Sequence, residues 1–276
     1  MVKETYIAMI GAGGRMGRNI LQIISAHPGV CITGLIDARK SPCFGKSIRD
    51  IIPGGGLNKN QADVVVSDDV QSAINAADVL IDFSSPAALP SYLSAAALKK
   101  KALIIGTTGY NADEVDQIHH TAKTIPVCFT GNFSIGINTM LGLVYNGAKV
   151  LQEKFDTEII ETHHNKKKDA PSGTALMLAG KICSAWGKTL ESCAVYGRQG
   201  ITGERKCGEL GIHSVRGGGV VGDHIVQFLS ELESLTIQHT AFSREAFASG
   251  VLSALLWITK QPPGLYSMLD VLGFSD

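Results

Sequence analysis

No stretch of this 276-residue chain reaches the roughly 18 consecutive apolar residues that a bilayer span needs, which sets a membrane-spanning role aside. The apolar run Tyr6 to Ile10 is also too short for a signal-peptide core, and it leads into glycines and Arg15 instead of a small-residue cleavage site. Net charge is lacking too: 25 Lys and Arg balance 25 Asp and Glu, so no global basic field recruits nucleic acid or an anionic membrane. Any anion site must be local. The six cysteines (Cys31, Cys43, Cys128, Cys183, Cys193 and Cys207) include no C-x-x-C pair, which argues against a zinc knuckle or a disulfide framework and leaves no metal site to expect. They read as reduced thiols in a cytoplasmic protein. Charged residues make up only 18% of the chain against 45% hydrophobic, too few for a disordered polymer.

What is present is rhythm. The runs Tyr6 to Ile10, Val30 to Ile36, Val64 to Val66, Val79 to Phe83, Ala102 to Ile105 and Val127 to Phe129 read as strands buried on both faces, with helical patterns between them. That is the pattern of a parallel α/β sheet, and residues 1–134 are expected to form a Rossmann-type dinucleotide-binding domain. Residues 40–62, with Pro42, Pro53 and Gly54-Gly55-Gly56, read as a surface loop. A helix is expected over Ile135 to Phe155, then a strand over Asp156 to His164 and a helix from Ser172. Strands at Gly211 to Val215, Val220 to Leu229 and Leu235 to Thr240 follow, giving an α+β domain over 135–244. A last helix is expected over Glu245 to Thr259.

Gly11-Ala12-Gly13-Gly14-Arg15-Met16-Gly17 follows the first strand and opens the first helix, the setting in which glycines bring backbone amides to a pyrophosphate. The third glycine of strict G-x-G-x-x-G would fall at Met16, and the chain has Gly17 instead. Such a loop alone also occurs in unrelated tight turns. Asp37 ends the second strand about 20 residues on, where a carboxylate accepts hydrogen bonds from ribose hydroxyls; a helix cap or turn aspartate is the plainer alternative. Gly106-Thr107-Thr108 and Thr130-Gly131-Asn132-Phe133 follow strands too, and so fall at the sheet's carboxyl edge beside the expected nicotinamide.

The segment Glu158 to Ala175 is the most informative. His163 and His164 alternate along an extended chain and so leave opposite faces, which suggests two roles. Gly173 and Thr174, after Pro171 and Ser172, open a helix whose amides suit a carboxylate. Singly, paired histidines, a lysine run and a helix start are ordinary structure; together they suggest a small-anion site. His27, His119, His120, His213, His224 and His239 have no such company and read as structural.

The run Glu161-Thr162-His163-His164 to Lys167, then Asp169-Ala170-Pro171-Ser172-Gly173-Thr174-Ala175, resembles the signature of the dihydrodipicolinate reductases, and the likeness extends over nearly the whole chain. The resemblance implies NAD(P)H-dependent reduction of a small dicarboxylate ring, 4-hydroxy-tetrahydrodipicolinate, in lysine and diaminopimelate biosynthesis. It implies His163 as proton donor, Lys167 as its cationic helper, and His164, Gly173 and Thr174 as holders of substrate carboxylate. It further implies that residues 245–276 return to the dinucleotide-binding domain and that the middle domain builds a homotetramer through its sheet. Ala38 after Asp37 departs from relatives with an arginine there, so NADH is expected to serve well; Arg39 and Lys40, one and two residues further on, offer cations to a 2′-phosphate, so use of both NAD and NADP is expected, with NADH at least comparable. The rivals are a dehydrogenase of another small acid and a non-catalytic NAD(P) sensor.

Overall fold

A computed structural model describes residues 4–54, 57, 64–152, 154–243 and 245–274. Its first half alternates β1 (Thr5–Ile10), α1 (Arg15–Ile24), β2 (Val30–Ile36), α2 (Ile48–Ile51), β3 (Val66–Ser67), α3 (Val70–Ala76), β4 (Val79–Asp82), α4 (Leu89–Leu98), β5 (Ala102–Ile105), α5 (Ala112–Ala122) and β6 (Pro126–Phe129). There follow α6 (Ile135–Leu151), β7 (Asp156–His163), α7 (Gly173–Ala185), α8 (Leu190–Cys193), β8 (Ala194–Tyr196), β9 (Leu210–Arg216), β10 (Gly222–Leu229) and β11 (Ser234–Ala241). The chain closes with α9 (Glu245–Ile258), β12 (Gly264–Tyr266) and α10 (Met268–Val271).

The contacts divide the chain into Met1–Ile135 with Phe247–Asp276, and Gly136–Ala246. In the first unit seven strands pair in parallel in the order β12-β6-β5-β4-β1-β2-β3. Successive side chains of a strand point to opposite faces, so β1 feeds two cores. Ile7 and Met9 pack with Ile20, Leu21 and Ile24 of α1 and Val251, Leu255 and Ile258 of α9. Ala8 and Ile10 pack with Ile74 of α3, Tyr92 of α4 and Ile118 of α5. His119 and His120 lie in the last turn of α5, where a helix dipole favours positive charge.

The 40–62 stretch is not loop throughout. Ser47 and Asp50 form a capping box that starts the single turn α2 and puts Ile48 and Ile51 into the core. Gly55, Gly56 and residues 58–62 of that stretch lie outside the described residues. The helix expected to run to Phe155 ends at Leu151, and the strand expected at Val64 to Val66 joins the sheet over Val66–Ser67, with Val65 in an isolated antiparallel bridge to Ser47.

In the second unit five strands pair in the order β11-β10-β7-β9-β8, with β7 antiparallel to β10 and parallel to β9. Ile159, Ile212 and Val226 are buried on one face. There Gly147 of α6 lies against the Phe228 ring, where an added Cβ would come within 3.6 Å. Ile160 and Ile225, on the other face, are only half-buried.

Candidate functional site

In the first unit the strand ends gather the expected residues at one edge. Gly11 has φ +82°, and any Cβ on it would strike the Phe83 carbonyl; Gly17 is buried where a Cβ would strike the carbonyl of Gly11. The shifted glycine therefore serves the close helix–strand contact that the third glycine of the motif serves. Gly14 caps α1 with no side-chain hydrogen bond, and the first turn carries no acidic residue, so the amides at the helix start meet no competing anion of their own. Asp37 accepts from Gly13 N at 2.8 Å through one oxygen and from Ala38 N at 2.8 Å through the other. These groups line a cleft of about 870 Å³ with Lys40, Ser84 and Ser85, a volume in the usual range for cofactor sites. Such a cradle suits a dinucleotide, with pyrophosphate over Gly11 to Gly14 and ribose at Asp37.

Gly106 leaves room for the Phe83 ring, which meets Phe133 at 5.3 Å between centroids. Thr107 accepts from Ser84 N at 2.8 Å, and Asn132 accepts from Ser134 N at 2.8 Å. An added Cβ on Gly131 would lie 3.5 Å from the Thr108 methyl, and Thr130 donates to the Asn132 carbonyl. Phe133 and Ala12 are buried in the core, so only their backbones are offered to a ligand, while the Arg15 side chain is exposed and Met16 packs partly against the core.

One group here escaped the sequence reading. Asp82, 1% exposed at the end of β4, accepts from Tyr92 Oη at 2.9 Å, from Tyr110 Oη at 3.1 Å and from the Ser84 hydroxyl. Burial and the nearby Asp82 charge push both tyrosines well above the ordinary phenol range. The strand-end rule that selected Gly106 and Gly131 would have selected Phe83 and Ser84 as well.

In the second unit β7 delivers Glu161 and His163 on one face, because they are two residues apart on a strand. His163 Nδ1 lies 2.5 Å from Glu161 Oε2. Arg216 of β9 donates to both Glu161 oxygens at 2.9 and 2.8 Å, and Ser172 N donates to Oε1 at 3.1 Å. Burial alone would raise the Glu161 carboxyl, but the donors of Arg216 and His163 outweigh it and hold it at about 2.

Ser172 caps α7 by accepting from Ala175 N at 3.1 Å, and its hydroxyl lies 3.1 Å from His224 Nε2. The His224 and His163 rings meet edge-on at 5.2 Å. Burial, with His163 adding to it, pushes His224 down to about 4, so it is neutral near pH 7. Its sequence context reads as structural, yet β10 brings His224 against both His163 and Ser172.

Lys167 lies 2.9 Å from Asp169, whose carbonyl accepts from Arg216 at 2.9 Å. His164 leaves the strand through its amide, which donates to Val220 O, and its buried Nδ1 has no hydrogen-bond partner. A Cβ on Gly173 would meet open space. His163, Lys167, Ser172 and the start of α7 thus share one network, with His164 adjoining it in the chain. His213 lies on the other face of the sheet, 2.7 Å from Glu158.

Comparison with known proteins shows what the chain as a whole resembles. The family model for the N-terminus of dihydrodipicolinate reductase matches residues 5–133, and that for the C-terminus matches 136–272. A 4-hydroxy-tetrahydrodipicolinate reductase of Psychrobacter arcticus is 40% identical over 99% of this chain and 97% of its own. That of Thiobacillus denitrificans is 42% identical over 97% of this chain and 98% of its own. The solved dipicolinate-bound dihydrodipicolinate reductase from Paenisporosarcina sp. TG-14 shares the fold, with a TM-score of 0.76 at 23% identity over 97% of this chain and 98% of that one. The glycine cradle, the His163 network and both family matches converge: this chain belongs to the dihydrodipicolinate reductase family.

Proposed function

We propose that this protein reduces 4-hydroxy-tetrahydrodipicolinate to tetrahydrodipicolinate with a nicotinamide cofactor, in lysine and diaminopimelate biosynthesis. The observation that carries the reading is the network of the second unit, in which a histidine ending β7, a lysine in the loop after it and the open start of α7 come together. Relatives about 40% identical along the full chain bear the name of that reaction.

When bound, the nicotinamide supplies hydride chemistry. The protein's residues do the rest. His163 donates the proton that completes the reduction after the ring has lost water, since imidazole exchanges protons near neutrality. Lys167, half-buried and held by Asp169, meets negative charge on the ring. The amides of Gly173 and Thr174 at the dipole end of α7 hold a ring carboxylate, with His164 beside them. In the first unit Gly11, Ala12, Gly13, Gly14, Arg15 and Met16 hold the pyrophosphate and Asp37 the adenosine ribose. Gly106, Thr107, Thr108, Thr130, Gly131, Asn132 and Phe133 hold the nicotinamide end.

Cofactor use is dual, NADH at least comparable to NADPH, because Asp37 faces the ribose and no arginine follows it directly. The protein works in the cytoplasm as a homotetramer built through the second unit's sheet, whose far face carries the half-buried Ile160 and Ile225. Light scattering should give four times the 29.2 kDa chain mass.

The deciding experiment supplies freshly made 4-hydroxy-tetrahydrodipicolinate with NADH or NADPH and follows the nicotinamide absorbance. Substrate-dependent oxidation is expected; none with either cofactor overturns the reading. His163→Ala and Lys167→Ala should each lower kcat by about 10²-fold or more while leaving cofactor affinity nearly intact. Near-normal turnover of the His163 variant would remove its role.

A further inference from the structure

The side chain that organises the second unit's site is Glu161. It is fully buried on β7, yet four donors converge on its two oxygens. Oε1 takes Ser172 N at 3.1 Å and one Arg216 nitrogen at 2.8 Å, while Oε2 takes the other Arg216 nitrogen at 2.9 Å and faces His163 Nδ1 at 2.5 Å. Ser214, its register partner on β9, adds a hydroxyl. An ionised carboxylate accepts and cannot donate. With Arg216 held in a two-pronged pair, Glu161 is the ionised partner, so the proton of the short contact belongs to His163 Nδ1.

We propose that Glu161 is a positioning residue: it fixes His163 with its proton on Nδ1 and Nε2 free for proton exchange with substrate, and through Ser172 N it ties that ring to the start of α7. The inference rests on His163 being the proton donor.

Three further contacts show that both the ring and the helix start are constrained. The edge-on His224 ring at 5.2 Å flanks the His163 ring. His224 Nε2 lies 3.1 Å from the Ser172 hydroxyl, so one histidine braces both parts. Arg216 reaches on to the Asp169 carbonyl at 2.9 Å, which fixes the chain just before the helix. The consequence is chemical. A neutral ring with Nδ1 protonated has a single nitrogen free to take up and deliver a proton, and it is held in register with the amides proposed to grip the substrate carboxylate. The other tautomer would set a lone pair against the carboxylate and leave Nε2 with a proton that a neutral ring does not readily give.

The test reads the tautomer directly. Histidine nitrogen-15 spectra of the full-length protein are recorded at a pH where the His163 ring is neutral, with His163→Ala used to assign the signal. The expected result is protonated Nδ1 and unprotonated Nε2; the opposite tautomer in the unsubstituted protein overturns the proposal, whether or not the Glu161 variant folds. Glu161→Gln should give a mixed or reversed tautomer together with a kcat at least about 10-fold lower, less than the roughly 10²-fold or more expected on removing the acid–base group itself. A folded Glu161→Gln protein with the tautomer unchanged would also overturn it, since a merely structural carboxylate would behave that way. Failure of the underlying reading looks different: His163→Ala would then retain turnover even though the tautomer is as stated, and the inference would fall with it.

Discussion

Asp37 carries two loads, and its neighbours decide how it treats a cofactor. Each oxygen already accepts one backbone amide, from Gly13 and from Ala38, which leaves about one acceptor direction per oxygen for ribose hydroxyls. A 2′-phosphate brings charge of the wrong sign to that carboxylate; Lys40 lines the same cleft, but the guanidinium that could grip the phosphate two-pronged is engaged elsewhere. Arg39 Nε lies 2.5 Å from Asp68 Oδ2, with both side chains exposed, that of Arg39 the more so. Such an exposed pair is weak and screened by salt, but it is local and it competes with a phosphate for the same guanidinium. Asp68→Asn should therefore release Arg39 and raise the ratio of kcat/KM for NADPH over NADH roughly severalfold at low ionic strength, with the gain shrinking as salt is added. Arg39→Ala on the same background should abolish the gain. A ratio that does not move in Asp68→Asn would mean that Arg39 never reaches the phosphate, and that Asp37 alone sets the choice.

At the scale of elements, the turn from β1 into α1 is held by Gly17. Alanine is favoured over glycine within a helix by about 1 kcal/mol, so propensity alone makes Gly17→Ala stabilising. Sterics oppose it, because the new Cβ would strike the Gly11 carbonyl at the centre of the cradle. Overpacking of this kind costs about 1–3 kcal/mol, so a lower denaturant midpoint and weaker cofactor binding are expected. Gly14→Ala is the control, since its Cβ would come only to 3.2 Å of the same oxygen, and it should lose less of both. Equal losses would show that the close approach at Gly17 is not what shapes the cradle. Elements such as this one were legible because their signals are local. The runs Val30 to Ile36 and Ala102 to Ile105 became β2 and β5 with the same bounds. By contrast β12 has three residues after Pro262 and Pro263, too few for periodicity, and exists through its pairing with β6 over 130 residues away. The site divided in the same way. His163, Lys167 and Gly173 sit in one contiguous motif, whereas Arg216 and His224 reach it only because β9 and β10 flank β7. Glu161 has a local signal, its place two residues before His163 on a strand, but that spacing alone does not distinguish a buried, paired carboxylate from an exposed one.

Over the whole molecule, the titratable groups are divided unevenly between the two units, and pH should separate them. In the second unit the Glu158 carboxyl is raised by burial, but donors from Arg198, His213 and Arg205 prevail and hold it at about 2, as Glu161 is held, against 4.5 for a free glutamate. His224 stands at about 4 against 6.5. For each of the three, the unfolded chain binds a proton at a pH where the native fold still refuses it. Stability therefore falls with pH from about 6.5 to 4 through His224, and from about 4.5 to 2 through the two carboxyls. In the first unit the large displacements have the opposite consequence. Burial pushes Tyr92 and Tyr110 far up and Cys128 to about 12 from 9.0, so the native fold keeps protons that the unfolded chain gives away, and stability falls as pH rises above about 9 to 10. Cys183, raised to about 12 chiefly by burial, is the one group so strongly displaced on that side among the second unit's described residues. The chain has two tryptophans, and each unit holds one: Trp186 at the end of α7 and Trp257 in α9. Trp257→Phe and Trp186→Phe thus leave a reporter in the second and first unit respectively. On acidification from pH 7, the Trp186 emission should change at higher pH than that of Trp257; on titration above pH 9 the order should reverse. Coincident transitions at both extremes would mean that the units unfold as one cooperative body. In that case the buried glutamates, histidine and tyrosines would draw on a single shared stability, and their placement in separate units would not matter to the folded state.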